Sequence, residues 1–358
     1  MVDLLAPYQA VVICSYGGPR APEDVLPFMR NATAGRQVPD ERLVEVSQHY
    51  RLFGGRSPIN EQNEALREAL AAELAARGCP RPVVVGNRNW TPYLAETLVA
   101  LRDQGHETVL AVATSAYPSY SGCRQYQEDL DRAQQQVPGS RVDKVGPYAD
   151  RDGFRVASTD ALVEAVTSLR QQVGDQPVRV LFVTHSIPVA MDELSGDGAP
   201  ENRYQAQHLE VAAEVARRAG ERLGEPLDWE LCYCSRSGPP RVPWLEPDIN
   251  DRITTLTGVA GVVAAPIGFI SDHMEVAYDL DTQARQSAEA AGLAYVRAAT
   301  AGTHPAFVAA LADLLVEQAA VTRGEISRPQ HPCLASTAGC CQIPTRKESH
   351  VPPAPGAH

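Results

Sequence analysis

An acidic segment that follows an apolar run is the first candidate for metal chemistry. Asp272, Glu275 and Asp279 come directly after the stretch that ends at Ser271. Serine is a suitable N-cap, and spacings of three and four residues predict that the three carboxylates share one helix face. Such a stripe can bind or conduct a hard or borderline cation. The alternative is a solvated acidic face on a well-capped helix.

A histidine stands at the end of another apolar run. His185 follows the segment 178–184 directly. Its imidazole can accept a proton near neutral pH or ligate a metal ion. Paired with Glu275, it offers the nitrogen and oxygen ligands that suit ferrous iron. The alternative is a loop or core histidine that holds a backbone carbonyl.

Two glycine-containing segments offer places for a ligand. Tyr16-Gly17-Gly18-Pro19 lacks the spacing of a phosphate-binding loop, so its glycines indicate either close backbone approach to a flat ligand or an ordinary turn. Ser57 before Pro58 predicts a helix start with serine as the N-cap. Free N–H groups at such a start also bind carboxylates.

The eight cysteines fall into separate groups. Those predicted to be small core residues of strands are Cys14, Cys232 and Cys234. Those that indicate a metal or iron–sulfur site are Cys333, Cys340 and Cys341, crowded near the C-terminus, and Cys123 in a loop. The alternative is a tail with incidental thiols, and the adjacent pair at 340–341 is poorly placed for a zinc knuckle.

The elements that must position these residues alternate between strand and helix. The predicted strands cover residues 10–15, 83–87, 108–114, 178–184, 229–234 and 261–266. The longer helices are predicted over 57–77, 93–104, 124–136, 153–173, 201–223, 249–256, 273–291 and 304–322. Apolar strands separated by helices predict an α/β fold with parallel sheets. Ligands in such sheets lie beyond the carboxyl ends of the strands.

Composition excludes several classes of partner. The net charge of −12 over 358 residues disfavours binding to nucleic acid or to an anionic membrane. No stretch predicts a membrane span, and the first residues do not resemble a signal peptide. We therefore expect a cytoplasmic protein without disulfides. The predicted division is 1–165, 166–323 and a cysteine-containing tail over 324–358, whose last residues are expected to be disordered.

Taken together, several motifs resemble those of ferrochelatases over nearly the whole chain. They are Tyr-Gly-Gly-Pro at 16–19, Gly-Gly-Arg-Ser-Pro-Ile at 54–59, Ser-Tyr-Ser-Gly at 119–122, Thr-His-Ser-Ile-Pro at 184–188, Pro-Trp-Leu-Glu-Pro at 243–247 and Pro-Ile-Gly-Phe-Ile-Ser-Asp-His-Met-Glu at 266–275. The resemblance implies two Rossmann-like lobes with a porphyrin cleft between them. It also implies a metal chelatase of the lyase class that inserts ferrous iron and releases two pyrrole protons.

By this resemblance, His185 and Glu275 are the metal-binding and proton-accepting pair. Asp279 and Asp272 extend a carboxylate path for the iron. The cysteine tail is similar to that of family members that carry a [2Fe–2S] cluster, which implies Cys333, Cys340 and Cys341 as ligands together with one from the body of the protein. We expect that ligand to be Cys123. The departure of the 340–341 pair from the usual spacing leaves the fourth bond open.

The resemblance extends to one branch of the family, which acts on coproporphyrin III. Tyr16 stands where that branch has tyrosine and the protoporphyrin branch usually has methionine. Arg30, Ser57 and Tyr126 match positions that contact the porphyrin in that branch. The alternatives are a protoporphyrin IX ferrochelatase, a cobalt or nickel chelatase and a haem carrier without catalysis. Transient contact with the preceding and following enzymes of haem biosynthesis is a further expectation.

Overall fold

Short buried runs rich in valine and alanine form two parallel sheets. The computed structural model describes residues 3–35, 38–238, 241–327 and 339–343. Its strands are β1 (Ala10–Ser15), β2 (Val83–Asn87), β3 (Thr108–Ala113), β4 (Arg141–Lys144), β5 (Val178–His185), β6 (Trp229–Cys234), β7 (Gly261–Ala265) and β8 (Ala294–Arg297). Small and β-branched side chains suit strands that are covered on both faces.

The two sheets repeat one topology. The strand order is β2-β1-β3-β4 in the first sheet and β6-β5-β7-β8 in the second, and every pair is parallel. In each sheet the chain passes from the first strand to a neighbour on one side and then crosses to the other side. This reversal creates a switch point between β1 and β3, and another between β5 and β7.

Helices connect and cover the strands. They are α1 (Val25–Ala32), α2 (Asp40–Leu52), α3 (Ile59–Ala76), α4 (Leu94–Asp103), α5 (Gln125–Gln136), α6 (Asp152–Val173), α7 (Val189–Glu193), α8 (Tyr204–Leu223), α9 (Ile249–Thr254), α10 (Arg285–Ala290) and α11 (Pro305–Thr322). A π-helical segment follows the third strand of each sheet, at Tyr120–Arg124 and at Val276–Ala284.

The core follows the alternation of side chains along the strands. Val11 and Ile13 face one apolar cluster, whereas Val12 faces another on the opposite side of the first sheet. Phe182 of the second sheet belongs to the same cluster as Val11, so one continuous core lies between the two halves of the chain. Burial of both sheet faces explains why the strands are continuous apolar runs.

The predicted α/β class and parallel sheets are confirmed, and the elements that sequence reasoning missed are mostly short or at the edges. β4 and β8 are four-residue edge strands that include charged side chains. The helices α1, α2 and α7 were also not predicted. α2 is rich in polar residues and buries only Leu43 and Ser47, so its sequence carries little apolar periodicity.

The predicted boundary between residues 165 and 166 falls inside α6. This helix packs as one unit against β7, β8 and α8 of the second half, so a boundary before Asp152 fits the structure better. α11 packs on both α6 and α3. The Oη of Tyr8 lies 2.8 Å from Thr322 Oγ1, so the end of α11 returns to the first half. The division into two lobes stays a prediction, and its boundary is moved to a point before Asp152.

α11 is the one helix of the described residues that is long and apolar enough to cross a membrane, by length and composition alone. Its side chains Phe307, Leu311 and Leu315 are nonetheless buried in the core cluster. A core helix passes the same test, and the packing of α11 between α3 and α6 gives it that role.

Candidate active site

The switch point of the second sheet brings two loops together. His185 is the last residue of β5, and the loop that follows β7 leads to Glu275. Because β5 and β7 are hydrogen-bonded neighbours, both loops leave the same edge of the sheet. The fold therefore juxtaposes a histidine and a carboxylate that are 90 residues apart in the printed sequence.

The histidine and the carboxylate form a close pair. Nε2 of His185 lies 3.6 Å from Oε1 of Glu275, and their side chains are 30% and 45% exposed. Nδ1 of His185 lies 2.5 Å from the backbone carbonyl of Ser186. A carbonyl oxygen only accepts hydrogen bonds, so Nδ1 carries a proton and Nε2 is the nitrogen free to bind a proton or a metal ion.

The charges of the pair reinforce each other. Burial alone lowers the pKa of His185, but the Glu275 carboxylate, the hydrogen bond to Ser186 and the charge of Asp279 together outweigh it and raise this pKa above its usual value. Burial alone raises the pKa of Glu275, and the neighbouring His185 and His273 reverse that effect and lower it to about 2. Glu275 is therefore ionised near neutral pH. A proton on His185 is held more tightly than on an ordinary imidazole.

The helix that carries the acidic residues begins later than the sequence predicted. Helical backbone starts at Met274, and Nδ1 of His273 accepts the N–H of Glu275 at 3.2 Å in the manner of an N-cap. The prediction that Ser271 caps the helix and that Asp272 shares its face is wrong. Sequence reasoning did not single out His273, whose pKa is lowered by burial and by repulsion from His185.

Asp272 is held away from the helix by partners of its own. Nη1 and Nη2 of Arg297 donate to its two carboxylate oxygens at 3.2 and 3.0 Å. The hydroxyl of Thr300 donates to it at 3.2 Å, and its backbone N–H donates to Gln62 at 2.6 Å. Arg297 lies on the edge strand β8, which sequence reasoning did not predict, so this competing interaction could not be foreseen.

Asp279 lies within the second π-helical segment and faces the end of β6. Ser235 donates its hydroxyl to the Asp279 carboxylate, from a residue with a positive φ of 61°. Burial is the main reason that the pKa of Asp279 rises to about 7, and the charge of Glu275 adds to it. Asp279 therefore holds a proton for much of the time near neutral pH.

Within the described ranges, no three histidine, cysteine or acidic side chains lie close enough together to hold a metal ion. The site thus offers a pair of groups to a metal ion rather than a closed cage.

The corresponding strand ends of the first sheet carry a different set of groups. Tyr16 follows β1 and is 39% exposed. Arg88 follows β2 and forms an ion pair with Asp129 in which both side chains are buried, at 7% and 13% exposure. The guanidinium of Arg88 stacks over Tyr126 at 4.6 Å and lies 5.9 Å from the centre of the Tyr16 ring. Sequence reasoning missed Arg88, although its place directly after a strand was a usable signal.

The residues that were predicted to contact the porphyrin lie in this half, and they differ in their exposure. Tyr126 is buried beneath Arg88, which also lies near Tyr16. Arg30 is exposed and donates to Asp40 at 2.7 Å. Ser57 is buried against Gly18. A Cβ atom added to Gly18 would lie 2.6 Å from the Cβ atom of Ser57.

The prediction that Ser57 caps a helix is wrong. α3 begins at Ile59 behind Pro58, and no side chain caps it. The N–H of Ser57 instead donates to the carbonyl of Pro19 at 3.0 Å. Gly18 is therefore required for a close approach between the loop after β1 and the segment that leads into α3.

α2 brings the two halves into contact near the pair. His49 stacks on Tyr278 of the second π-helical segment, with ring centres 3.7 Å apart. Burial raises the pKa of Tyr50, and both Tyr16 and Glu275 contribute to that rise. The phenol of Tyr50 is therefore within electrostatic range of groups from both strand ends. Residues from both halves meet around one site.

The predicted cysteine groups differ in how much the structure describes. Cys14, Cys232 and Cys234 are buried in strands, which confirms the prediction that they are core residues. Cys333 lies outside the described residues. The other predicted cluster ligands are all buried. They are Cys123, Cys340 and Cys341.

Two contacts bring the tail segment and the Cys123 turn to the same region. The N–H of Cys341 donates to the carbonyl of Gly196 at 2.8 Å, just after α7. Ser121, two residues before Cys123, lies 3.9 Å from the sulfur of Met191 in α7. The Nζ of Lys144 donates to the sulfur of Cys123 at 3.4 Å.

Comparison with known proteins gives consistent results. A family model described as Ferrochelatase matches residues 8–319. The Coproporphyrin III ferrochelatase of Leifsonia xyli subsp. xyli is 46% identical over 361 residues, which cover 94% of this chain and 91% of that protein. That of Streptomyces coelicolor is 46% identical over 95% of this chain and 92% of its own. A Ferrochelatase of Rhodopirellula baltica is 42% identical over 88% of this chain and 87% of its own.

A solved structure is similar in fold at much lower identity. The sirohydrochlorin chelatase SirB from Bacillus subtilis subspecies spizizenii, in complex with cobalt, has a TM-score of 0.51 and 12% identity, over 89% of this chain and 98% of that one. Likeness at this identity concerns the fold alone, and it agrees with the two similar parallel sheets. The family match and the relatives extend over most of the sequence, so the chain belongs to the ferrochelatase family.

Proposed function

We propose that this protein inserts ferrous iron into coproporphyrin III, releases two protons and so forms iron coproporphyrin III in haem biosynthesis. The names of the most similar relatives support the substrate. The observation that carries the chemistry is the pair formed by His185 and Glu275 at the switch point of the second sheet, 3.6 Å apart and open to solvent. The reaction needs a ligand for iron and acceptors for the pyrrole protons, and this pair offers both.

His185 is suited to the first contact with the metal. Its proton on Nδ1 is directed to the Ser186 carbonyl, so the lone pair of Nε2 points toward Glu275. An imidazole nitrogen and a carboxylate bind ferrous iron, yet two ligands do not enclose it. Once the iron has left Nε2 for the porphyrin, that nitrogen can accept a proton released by the porphyrin nitrogens. The raised pKa of His185 favours that acceptance.

Asp279 continues the proposed path for iron. It lies four residues beyond Glu275, in the π-helical segment, and Ser235 orients its carboxylate. Asp272 was expected to extend this path. Its pairing with Arg297 supports a different role, in which it fixes the loop between β7 and Glu275. The path through Asp272 stays a prediction.

The first half supplies the proposed porphyrin surface. Tyr16 lies at the end of β1 and is partly exposed, which suits stacking on a flat ring or binding of the iron in the product. Arg30 is exposed on α1, where a propionate could take the place of its present partner Asp40. Ser57 and Tyr126 are buried, so contact with a substrate would follow a shift of their neighbours, which for Tyr126 include Arg88.

We also propose a [2Fe–2S] cluster held by Cys123, Cys333, Cys340 and Cys341. Support comes from the near-complete burial of Cys123, Cys340 and Cys341, at 2%, 1% and 0% exposure. Incidental thiols of a tail would be expected to remain exposed. The cluster would tie the tail to the body of the protein, a structural role.

The cluster is tested by spectroscopy of anaerobically purified protein. We expect visible absorption bands, with two iron atoms and two sulfides per chain. Cys341→Ser should reduce both. Cys79→Ser, a buried cysteine in a turn of the first half, is the matched control and should leave them unchanged. Iron and sulfide far below one cluster per chain in the unaltered protein would refute the proposal.

The reaction is tested by anaerobic insertion assays with ferrous iron and either coproporphyrin III or protoporphyrin IX. We expect both kcat and kcat/KM to be higher for coproporphyrin III, which carries four carboxylates. A clear preference for protoporphyrin IX would overturn the argument from Tyr16. The protein would still be a chelatase. Binding of finished haem without turnover on either porphyrin would indicate a carrier instead. A cytoplasmic location and contact with neighbouring pathway enzymes are further expectations.

A further inference from the structure

A single buried hydroxyl touches both loops of the active site. Thr184 directly precedes His185 and is completely buried. Its Oγ1 lies 2.9 Å from Nε2 of His208 and 2.5 Å from Oη of Tyr204. A threonine in the core of a strand usually needs only one partner for its hydroxyl. Here the hydroxyl has two, both from α8.

The direction of the first hydrogen bond is fixed by His208. Nδ1 of His208 lies 2.7 Å from the carbonyl of Tyr204, so Nδ1 carries the proton and donates. Burial lowers the pKa of His208 to about 3, so the ring is neutral near pH 7. Nε2 is then without a proton and can only accept. The hydroxyl of Thr184 must therefore donate to His208.

The second hydrogen bond connects Thr184 to the main chain of His185. Tyr204 has one hydroxyl proton and two acceptors within reach: Thr184 Oγ1 at 2.5 Å and the His185 carbonyl at 3.0 Å. Since the proton of Thr184 is committed to His208, the single hydroxyl proton of Tyr204 is shared between Thr184 Oγ1 and the His185 carbonyl. The carbonyl of His185 and the side chain before it are thus tied to the same phenol.

Thr184 also supports the loop that leads to Glu275. A Cβ added to Gly268 would lie 2.0 Å from Thr184 Oγ1, closer than any two such atoms can approach. The N–H of Gly268 donates to the carbonyl of Val183 at 3.1 Å. The loop after β7 therefore rests directly on Thr184. One side chain contacts the segments that carry both members of the pair.

We infer that Thr184 is a positioning residue that sets the separation of His185 Nε2 and the Glu275 carboxylate through its hydroxyl. The inference rests on the proposed function only for its effect on turnover. Valine has nearly the same shape as threonine, but it would leave Nε2 of His208 without a donor in a fully buried site. A new hydrogen-bond donor could reach this nitrogen only if α8 or β5 moved. His185 lies at the end of β5.

The test compares Thr184→Val with Thr184→Ser in the full chain. We expect Thr184→Val to lower kcat at least tenfold while the KM for coproporphyrin III changes less than twofold. Thr184→Ser keeps the hydroxyl and should recover kcat to within about threefold of the unaltered protein. The matched control is Thr159→Val, a buried threonine of α6 whose hydroxyl donates to the carbonyl of Arg155 in the same helix. Thr184→Val with the kcat of Thr159→Val would overturn the inference.

A second comparison applies if Thr184→Val does not fold. Tyr204→Phe removes the proton shared by Thr184 and His185, and it should lower kcat while KM is kept. Tyr148→Phe is its control, because the hydroxyl of that buried tyrosine bonds to Ala113 in the first half. Equal kcat values in the two variants would overturn the inference.

Imidazole ¹⁵N resonances give a readout that does not depend on turnover. We expect the His185 signals to move in Thr184→Val and to stay in place in Thr159→Val. Unmoved signals in Thr184→Val would contradict the inference. If the unaltered protein inserts no iron, the proposed function fails, and these resonances still decide the role of Thr184.

Discussion

The two sheets share one topology, yet their strand ends carry opposite chemistry. The first strand of each sheet leads to Tyr16 or to His185, and the second leads to Arg88 or to Ser235. In the first half the charges are satisfied internally, because Arg88 is paired with Asp129. In the second half, the corresponding region holds His185 and Glu275 at 3.6 Å and leaves them open to solvent.

This difference shows what the fold decides and what the side chains decide. Parallel sheets with a switch point supply two equivalent places at which loops meet. At one of them the buried charges of Arg88 and Asp129 pair with each other, whereas at the other His185 and Glu275 lie side by side and open to solvent. Both regions also contain a π-helical segment, which carries Cys123 in the first half and Asp279 in the second.

A large loss of turnover is expected when the carboxylate of the reactive half is removed. Glu275→Gln should lower kcat roughly 10³-fold, the scale of a lost acid–base group. The residual activity should also shift in pH. Since the Glu275 charge raises the pKa of His185, the variant releases the His185 proton at lower pH. The acid limb of kcat/KM should therefore move to lower pH, and an unchanged limb would contradict the coupling.

Removal of a carboxylate from the other half should affect stability instead. Asp129→Ala leaves the buried guanidinium of Arg88 without its partner and should lower the free energy of unfolding by about 3 kcal/mol. Denaturant titration measures this loss. Glu275→Gln, measured in parallel, should change stability by much less. Equal destabilisation by the two variants would remove the distinction between the halves.

A smaller effect tests the free-energy cost of burying the Asp279 carboxylate in the reactive half. The pKa of Asp279 rises from 3.8 to about 7 in the folded protein, so the folded state binds more protons between those values. The free energy of unfolding should therefore decline as pH rises through this window. Asp279→Asn should be more stable than the unaltered protein by roughly 1 kcal/mol at pH 8 and by nothing near pH 3.

Denaturant midpoints at the two pH values measure that gain. Asp313→Asn, which removes an exposed carboxylate of α11 that pairs with Arg77, provides the control for the loss of a charge at the surface. A loss of stability in Asp279→Asn at pH 8 would show that the hydrogen bond from Ser235 outweighs the cost of burial.

The sequence was sufficient for features that depend on neighbouring residues. Apolar runs gave the strands, and a polar residue directly after such a run identified His185. Asp272 shows where this reasoning ends. Its predicted place on a helix face followed from local spacing, but Arg297, 25 residues later, pairs with it. Interactions across a sheet are set by register, which local patterns do not reveal.

Arg88 illustrates a second limit. Arginine supplies almost all the basic residues of this chain, so the residue type alone did not mark Arg88, and only its place directly after a strand was a signal. Only the packing of β2 beside β1, with α5 nearby, shows that its guanidinium lies between Tyr126, Asp129 and the ring of Tyr16. Ser57 failed as a cap for a related reason, because the contact with Gly18 governs that turn.

The central claim is that the imidazole of His185 mediates iron insertion without being needed to hold the porphyrin. The direct measurement is anaerobic ferrous insertion into coproporphyrin III by His185→Ala, together with the dissociation constant of that porphyrin. We expect turnover to disappear while the dissociation constant stays within about twofold of the unaltered protein. Insertion at the unaltered rate by this variant would contradict the account.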